Sequence, residues 1–244
     1  MNNWKEIWSK RSADEDVLSG DDEKKIFLEL KRSNGFDVYE EGGPAYESWL
    51  RQYRQIKHEL AFDKDDETYS LGSVFEVGCG SGANLYLFER DGIRCGGIDY
   101  SEKLINSARQ ALDSEDLTCD EAINMRTDVM YDAILSNSVF SYFTDEAYAL
   151  TVLEKMYQKA VHSIGIIDIH DIEKKEAFLA YRKASIADYE ERYKDLPKFF
   201  YSRQFFLNFA SGHGMDIKFA FSDISNYWNN DFVFNCYMYK RKEG

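Results

Sequence analysis

The chain has 244 residues, of which 44% are hydrophobic and 16% aromatic, and 44 acidic side chains face 30 Lys and Arg for a formal charge of −14. That balance argues against a nucleic acid or an anionic membrane surface as partner, because both need basic protein surface. No stretch approaches the roughly 18 apolar residues of a bilayer span, and the length suits one α/β domain with an added cap or two small domains.

The start, Met1-Asn2-Asn3-Trp4-Lys5-Glu6, has no apolar core and does not read as a secretory leader. Residues 1–33 read as amphipathic helix around Trp4, Ile7 and Trp8 and again around Ile26, Phe27 and Leu30, with a polar loop at 12–20. Asn34-Gly35 and Gly42-Gly43-Pro44 punctuate the chain. A helix is expected over 45–62, with Trp49, Tyr53, Ile56 and Leu60 at helical spacing, then a charged connector over 63–70. Residues 1–70 are therefore expected to form a helical N-terminal cap.

Strands and helices alternate from Ser73 onward. Strands are expected at 74–77, 94–99, somewhere in 117–125, at 131–136 and at 163–169, the last a continuous apolar run suited to burial on both faces. Helices are expected over 84–90, over 102–112 behind the N-cap Ser101, and over 145–159. Residues 171–196 are charged and helical and read as an insertion. A helix over 201–211, two glycines, and runs at 216–224 and 231–241 that suggest an antiparallel pair complete the chain. Cys79, Cys95, Cys119 and Cys236 form no CxxC pair, and His58, His162, His170 and His213 do not cluster. No metal site is expected, and reduced thiols suit a cytoplasmic protein.

The run Val74-Phe75-Glu76-Val77-Gly78-Cys79-Gly80-Ser81-Gly82-Ala83-Asn84 carries an apolar strand into a glycine-rich turn and then a helix. A phosphate loop would need Gly-Lys-Ser/Thr, and this turn has no lysine. A nicotinamide-dinucleotide fold fits the spacing of Gly78, Gly80 and Ala83. Glu76 at the strand exit and the closing antiparallel pair favour a different nucleotide-like ligand. Asp99, at the end of the next apolar run, lies where such folds keep an acid for a ribose.

Glu76-Val77-Gly78-Cys79-Gly80-Ser81-Gly82 resembles the first motif of class I S-adenosylmethionine-dependent methyltransferases. Gly97-Ile98-Asp99-Tyr100-Ser101 resembles the second, and Asp132-Ala133-Ile134-Leu135-Ser136-Asn137-Ser138-Val139 the fourth. The resemblance covers residues 71–240. It implies a Rossmann-like seven-stranded, mostly parallel α/β sheet with a C-terminal antiparallel hairpin over 71–244, and an acceptor-side insertion at 171–200. It implies S-adenosylmethionine as cofactor, methyl transfer to a small-molecule acceptor, and release of S-adenosylhomocysteine. A cofactor-binding regulator without turnover is the non-enzymatic alternative.

The resemblance makes Glu76, Gly78, Cys79, Gly80 and Gly82 cofactor-binding, with Gly78, Gly80 and Gly82 letting the backbone approach the methionine part. Asp99 can accept from both ribose hydroxyls, and Tyr100 is a further cofactor-binding residue. Glu121 and Ala122 match the adenine position, with Arg126-Thr127-Asp128 as the alternative. Ser136 and Asn137 flank the reacting methyl, and Trp49 could close over the cofactor from the cap. His170, at the carboxyl end of a buried strand, is the candidate general base, and Tyr142 a candidate for orienting the acceptor. Tyr181, Arg182, Tyr189, Tyr193, Tyr201 and Arg203 are further acceptor-side candidates, and His213 reads as a loop residue.

Overall fold

The computed structural model describes residues 4–36, 38, 43–61, 71–222 and 224–241. Met1-Asn2-Asn3, Gly42, Phe62 and the connector expected over 63–70 lie outside the described residues. The chain opens with helices α1 (Trp4–Trp8), α2 (Glu15–Leu18), α3 (Glu23–Ser33) and α4 (Tyr46–Glu59). It continues through β1 (Ser73–Val77), α5 (Ala83–Arg90), β2 (Arg94–Asp99), α6 (Glu102–Ala111), β3 (Leu117–Cys119), β4 (Tyr131–Asn137), α7 (Glu146–Lys159) and β5 (Ala160–His170). It ends with α8 (Lys175–Ser185), α9 (Tyr189–Tyr193), α10 (Arg203–Gly212), β6 (Asp216–Ala220) and β7 (Val233–Tyr239).

The strands form one seven-stranded sheet in the order β3-β2-β1-β4-β5-β7-β6. β7 runs antiparallel to both β5 and β6, and the other pairings are parallel. This is the Rossmann-like sheet with a reversed terminal strand that the motifs imply. The strand expected at 163–169 spans Ala160–His170, the run at 216–224 is strand only over Asp216–Ala220, and two further differences have a local cause. The polar stretch at 12–20 contains the turn of helix α2, because the Asp14 carboxylate caps Asp16 N–H. The helix expected from Tyr201 begins at Arg203, because Ser202 is its N-cap and Tyr201 bridges to Asp171 instead.

Strand alternation sorts side chains onto two apolar faces. Val74, Ala133, Leu135 and Tyr237 pack with α3, α4, α5 and α6, while Phe75, Ile134, Cys236 and Met238 pack with α7 and α10. β5 breaks the alternation. Ile164, Ile166 and Ile169 all face the second side, and the pairing with β7 shifts between Ile166 and Ile169. One extra residue reverses the pleat there, near Asp168, whose carboxylate meets Ser138, Tyr227 and Asn229. The freed Asp168 N–H donates to the Asn235 side chain at 2.9 Å.

The N-terminal helices dock on this framework at named points. Ser163 donates to the Leu60 carbonyl at 3.0 Å, and Tyr239 donates to that of Glu59 at 2.7 Å. Leu60 lies so close over Gly165 that a Cβ there would meet it at 3.0 Å. Among the described residues, no helix is long and apolar enough to cross a membrane.

Candidate active site at the carboxyl edge of the sheet

The motif residues gather where β1, β2, β4 and β5 end, the edge at which open α/β sheets bind ligands. Gly78 and Cys79 donate backbone N–H to the Ile98 carbonyl at 2.8 and 3.1 Å, which folds the turn back over β2. Gly78 and Gly80 have φ of 72° and 55°, a region that disfavours side chains. Space forbids a side chain there as well. A Cβ on Gly78 would lie 2.3 Å from the Val139 side chain, and one on Gly80 would lie 2.3 Å from Asn34 Oδ1.

Asp99 braces the turn from β2. Its carboxylate accepts from Gly80 N–H at 3.0 Å and from Ser101 N–H at 2.8 Å, and burial raises its pKa. Tyr100 follows it and lies under the Lys5 ammonium, 5.6 Å from the ring centre. Lys5 also pairs with Glu121 at 2.5 Å, so α1 crosses the edge where adenosine is expected. Ala122 begins a short 3-10 turn after β3. Arg126 and Asp128, the alternative there, pair with each other on the surface.

α3 reaches the glycine turn through its last residues. Asn34 Oδ1 accepts from Ser81 N–H at 2.8 Å, and Ser81 Oγ donates to the Leu30 carbonyl at 2.9 Å. Beneath them Glu76 is 2% exposed and accepts from Asn84 Nδ2 at 2.6 Å. Its Oε2 is buried without a hydrogen-bond partner, and burial pushes its pKa up to about 8. Cys79 is equally enclosed, and burial raises its thiol well above the ordinary range, which makes it unreactive. An orphaned carboxylate oxygen beside side-chain-free backbone suits a small ligand with a polar head, as S-adenosylmethionine has.

The β4 and β5 ends are built from side chains. Ser136 donates to the Val77 carbonyl at 3.0 Å, and Asn137 accepts from Ser138 Oγ at 3.1 Å. Ser138 and Asp168 have φ of 60° and 62° and are joined by a 2.6 Å hydrogen bond from Ser138 Oγ. Left-handed non-glycine residues side by side store strain, and such strain concentrates at functional sites. Tyr227 and Asn229 also donate to the Asp168 carboxylate, at 3.0 and 3.2 Å.

His170 is 2% exposed and sits edge-on to Phe178 and Phe200 at 4.8 and 5.3 Å. Neither ring nitrogen has a hydrogen-bond partner. Burial first, then the charges of Lys198 and Arg182, push its pKa well down, so the ring is neutral at physiological pH. Phe232 packs edge-on against Phe178, and Trp228 stacks on Tyr181, which also touches Phe232. Tyr142 stands apart, packed by Trp4 and Trp8 and accepting from Lys198 Nζ at 3.3 Å. Trp49 is 2% exposed and lies between Phe36 and Tyr227 with its indole N–H unpartnered.

The remaining acceptor-side candidates spread out. Arg182 lies over Trp228, and Tyr189 stacks on Tyr193. Tyr201 is wholly buried and donates to the Phe140 carbonyl, a core position. Arg203 pairs with Asp171 at 2.9 Å, and His213 stacks on Phe209 and meets Glu154 at 3.0 Å. Sequence reasoning missed Lys31, Asn34, Ser138, Tyr227 and Asn229. Of these only Lys31 left a signal, a lysine four residues from Phe27 on the apolar face of its helix.

Residues 75–165 match the model of a family described as a methyltransferase domain. No curated protein sequence matches this chain. The structure resembles magnesium protoporphyrin IX methyltransferase (ChlM) from Synechocystis PCC 6803 with bound SAM, at 14% identity and a TM-score of 0.57, over 91% of this chain and 99% of that one. It resembles the plantazolicin methyltransferase BpumL, solved with a triazolic desmethylPZN analog and SAH, at 16% identity and a TM-score of 0.62, over 99% and 100% of the two chains. The N-methyltransferase NodS from Bradyrhizobium japonicum WM9 is similar at 11% identity and a TM-score of 0.54, over 80% and 98%. These likenesses concern the fold.

Proposed function

We propose that this chain, a class I S-adenosylmethionine-dependent methyltransferase, methylates a small organic acceptor seated against the end of β5. The observation that carries the reading is the box of aromatic rings around His170, on the sheet edge that also holds the glycine turn and Asp99. An apolar wall with a few buried polar atoms is the usual make-up of a small-molecule site. The neighbours named for a protoporphyrin and for plantazolicin support an acceptor of the same broad kind. The charge of −14 opposes nucleic acid.

S-adenosylmethionine, when bound, supplies a methyl already activated on a sulfonium. The chain's own work is then binding, alignment and exclusion of water. We assign Gly78, Cys79, Gly80 and Gly82 to backbone contact with the methionyl part, and Glu76 to its polar head. Asp99 and Tyr100 would hold the ribose, and Glu121 and Ala122 the adenine. Ser136, Asn137 and Trp49 would border the transfer position.

His170 is assigned the proton from the acceptor. A neutral imidazole with an unused nitrogen can take it, and the aromatic walls keep competing water away. Tyr142 would orient the acceptor at the mouth. Incubating the protein with methyl-labelled donor and a pool of cellular metabolites, proteins and nucleic acids tests the reading. Label in a small organic product supports it. Label in protein or nucleic acid, or cofactor binding without any turnover, contradicts it.

A further inference from the structure

Lys31 is 2% exposed, and burial pushes its pKa down to about 8. An ammonium is seldom buried so fully without a carboxylate against it. Among the described residues, its hydrogen bond goes to Asn84 Oδ1 at 3.3 Å, leaving donors unused. The rings of Trp49 and Phe36 lie 4.6 and 4.8 Å from Nζ. Two carboxylates act on it through space, Glu76 from the end of β1 and Asp168 from the end of β5. Asp168 is engaged by Ser138, Tyr227 and Asn229. Glu76 keeps Oε2 without a partner, and its other oxygen is bonded to the same Asn84 that Lys31 touches.

A cation with spare donors and a carboxyl group with an unpartnered oxygen thus stand on either side of Asn84, next to the glycine turn. The ligand complementary to that pair carries an ammonium beside a carboxylate. We propose that Lys31 binds the α-carboxylate of the cofactor's methionyl group, with Glu76 facing the adjacent α-ammonium. Lys31 then makes the site select adenosyl thioethers that carry an intact amino acid. The inference rests on the cofactor assignment above.

Calorimetry with two probes tests it: S-adenosylhomocysteine, and S-adenosyl-3-thiopropylamine, which keeps the adenosine, sulfur and amine but lacks the carboxylate. The unaltered protein should prefer the first by about tenfold to a hundredfold, the range expected for one buried charge-assisted contact. Lys31→Met should erase that preference by weakening S-adenosylhomocysteine alone, and Lys31→Arg should keep most of it. Equal affinity of the unaltered protein for both probes would overturn the assignment without recourse to any variant. So would an equal loss for both probes in Lys31→Met, or no loss for either. If the unaltered protein bound neither probe, the cofactor reading itself would fall.

Discussion

The two halves of the sheet's carboxyl edge are built from different materials. At β1 and β2 the backbone does the shaping: glycines at positive φ fold over Ile98, and Asp99 ties down the turn. At β4 and β5 the shaping is done by side chains that meet from distant segments. Ser138, Asp168, Tyr227 and Asn229 form one hydrogen-bonded group, and Phe178 and Phe200 stand edge-on to His170, with Phe232 against Phe178. The first half is set by local rules and suits a fixed ligand. The second depends on tertiary packing, which lets one fold take different acceptors.

The comparison assigns turnover to one half and cofactor affinity to the other, and His170→Ala divides them most sharply. Turnover should fall about a hundredfold or more, the usual weight of a positioned base, while calorimetry shows S-adenosylhomocysteine binding within about threefold of the unaltered protein. Unchanged turnover across pH would reduce His170 to a packing residue. In the other half, Gly80→Ala places a Cβ against Asn34 at a strained φ. It should destabilise the fold by about 2 kcal/mol or more in urea unfolding and weaken cofactor binding with it. Asp99→Ala should weaken binding by about 1.5–3 kcal/mol, and turnover at saturating cofactor should recover.

Glu76 gives a pH test. Its folded-state pKa, about 8, lies above the unfolded value of 4.5, so the native state holds a proton that the unfolded chain releases. Stability without ligand should therefore fall as pH rises from about 4.5 to 8. Glu76→Gln should flatten that limb, as read by urea unfolding at pH 5 and pH 8. The smallest effect belongs to Lys5→Ala. Its ion pair with Glu121 is largely exposed, so stability should change by less than about 0.5 kcal/mol.

The same contrast explains what could be read from the residues alone. The glycine turn, Asp99, the alternating strands and the reversed last strand announce themselves, because each is written in a few consecutive residues. β3 was barely legible: only Leu117–Cys119 pair, and two of those three residues are exposed. The bulge at Asp168 has no local signal, because Ile164-Gly165-Ile166-Ile167 reads as uninterrupted strand and Asn235, which accepts the freed N–H, lies on another strand. Tyr227 and Asn229 sit in a polar loop whose composition suggests only a turn. Lys31 left only its place on the apolar face of its helix as a signal, and a single lysine near an apolar stripe ordinarily reads as a surface residue whose stem packs down.

The most direct measurement is a crystal structure of the protein grown with S-adenosylhomocysteine. Both ribose hydroxyls should lie within hydrogen-bonding distance of Asp99, with the amino-acid tail passing Gly78 toward Glu76. An adenosine bound away from Asp99, or a glycine turn still covered by Val139 and Asn34 at saturating ligand, would contradict it.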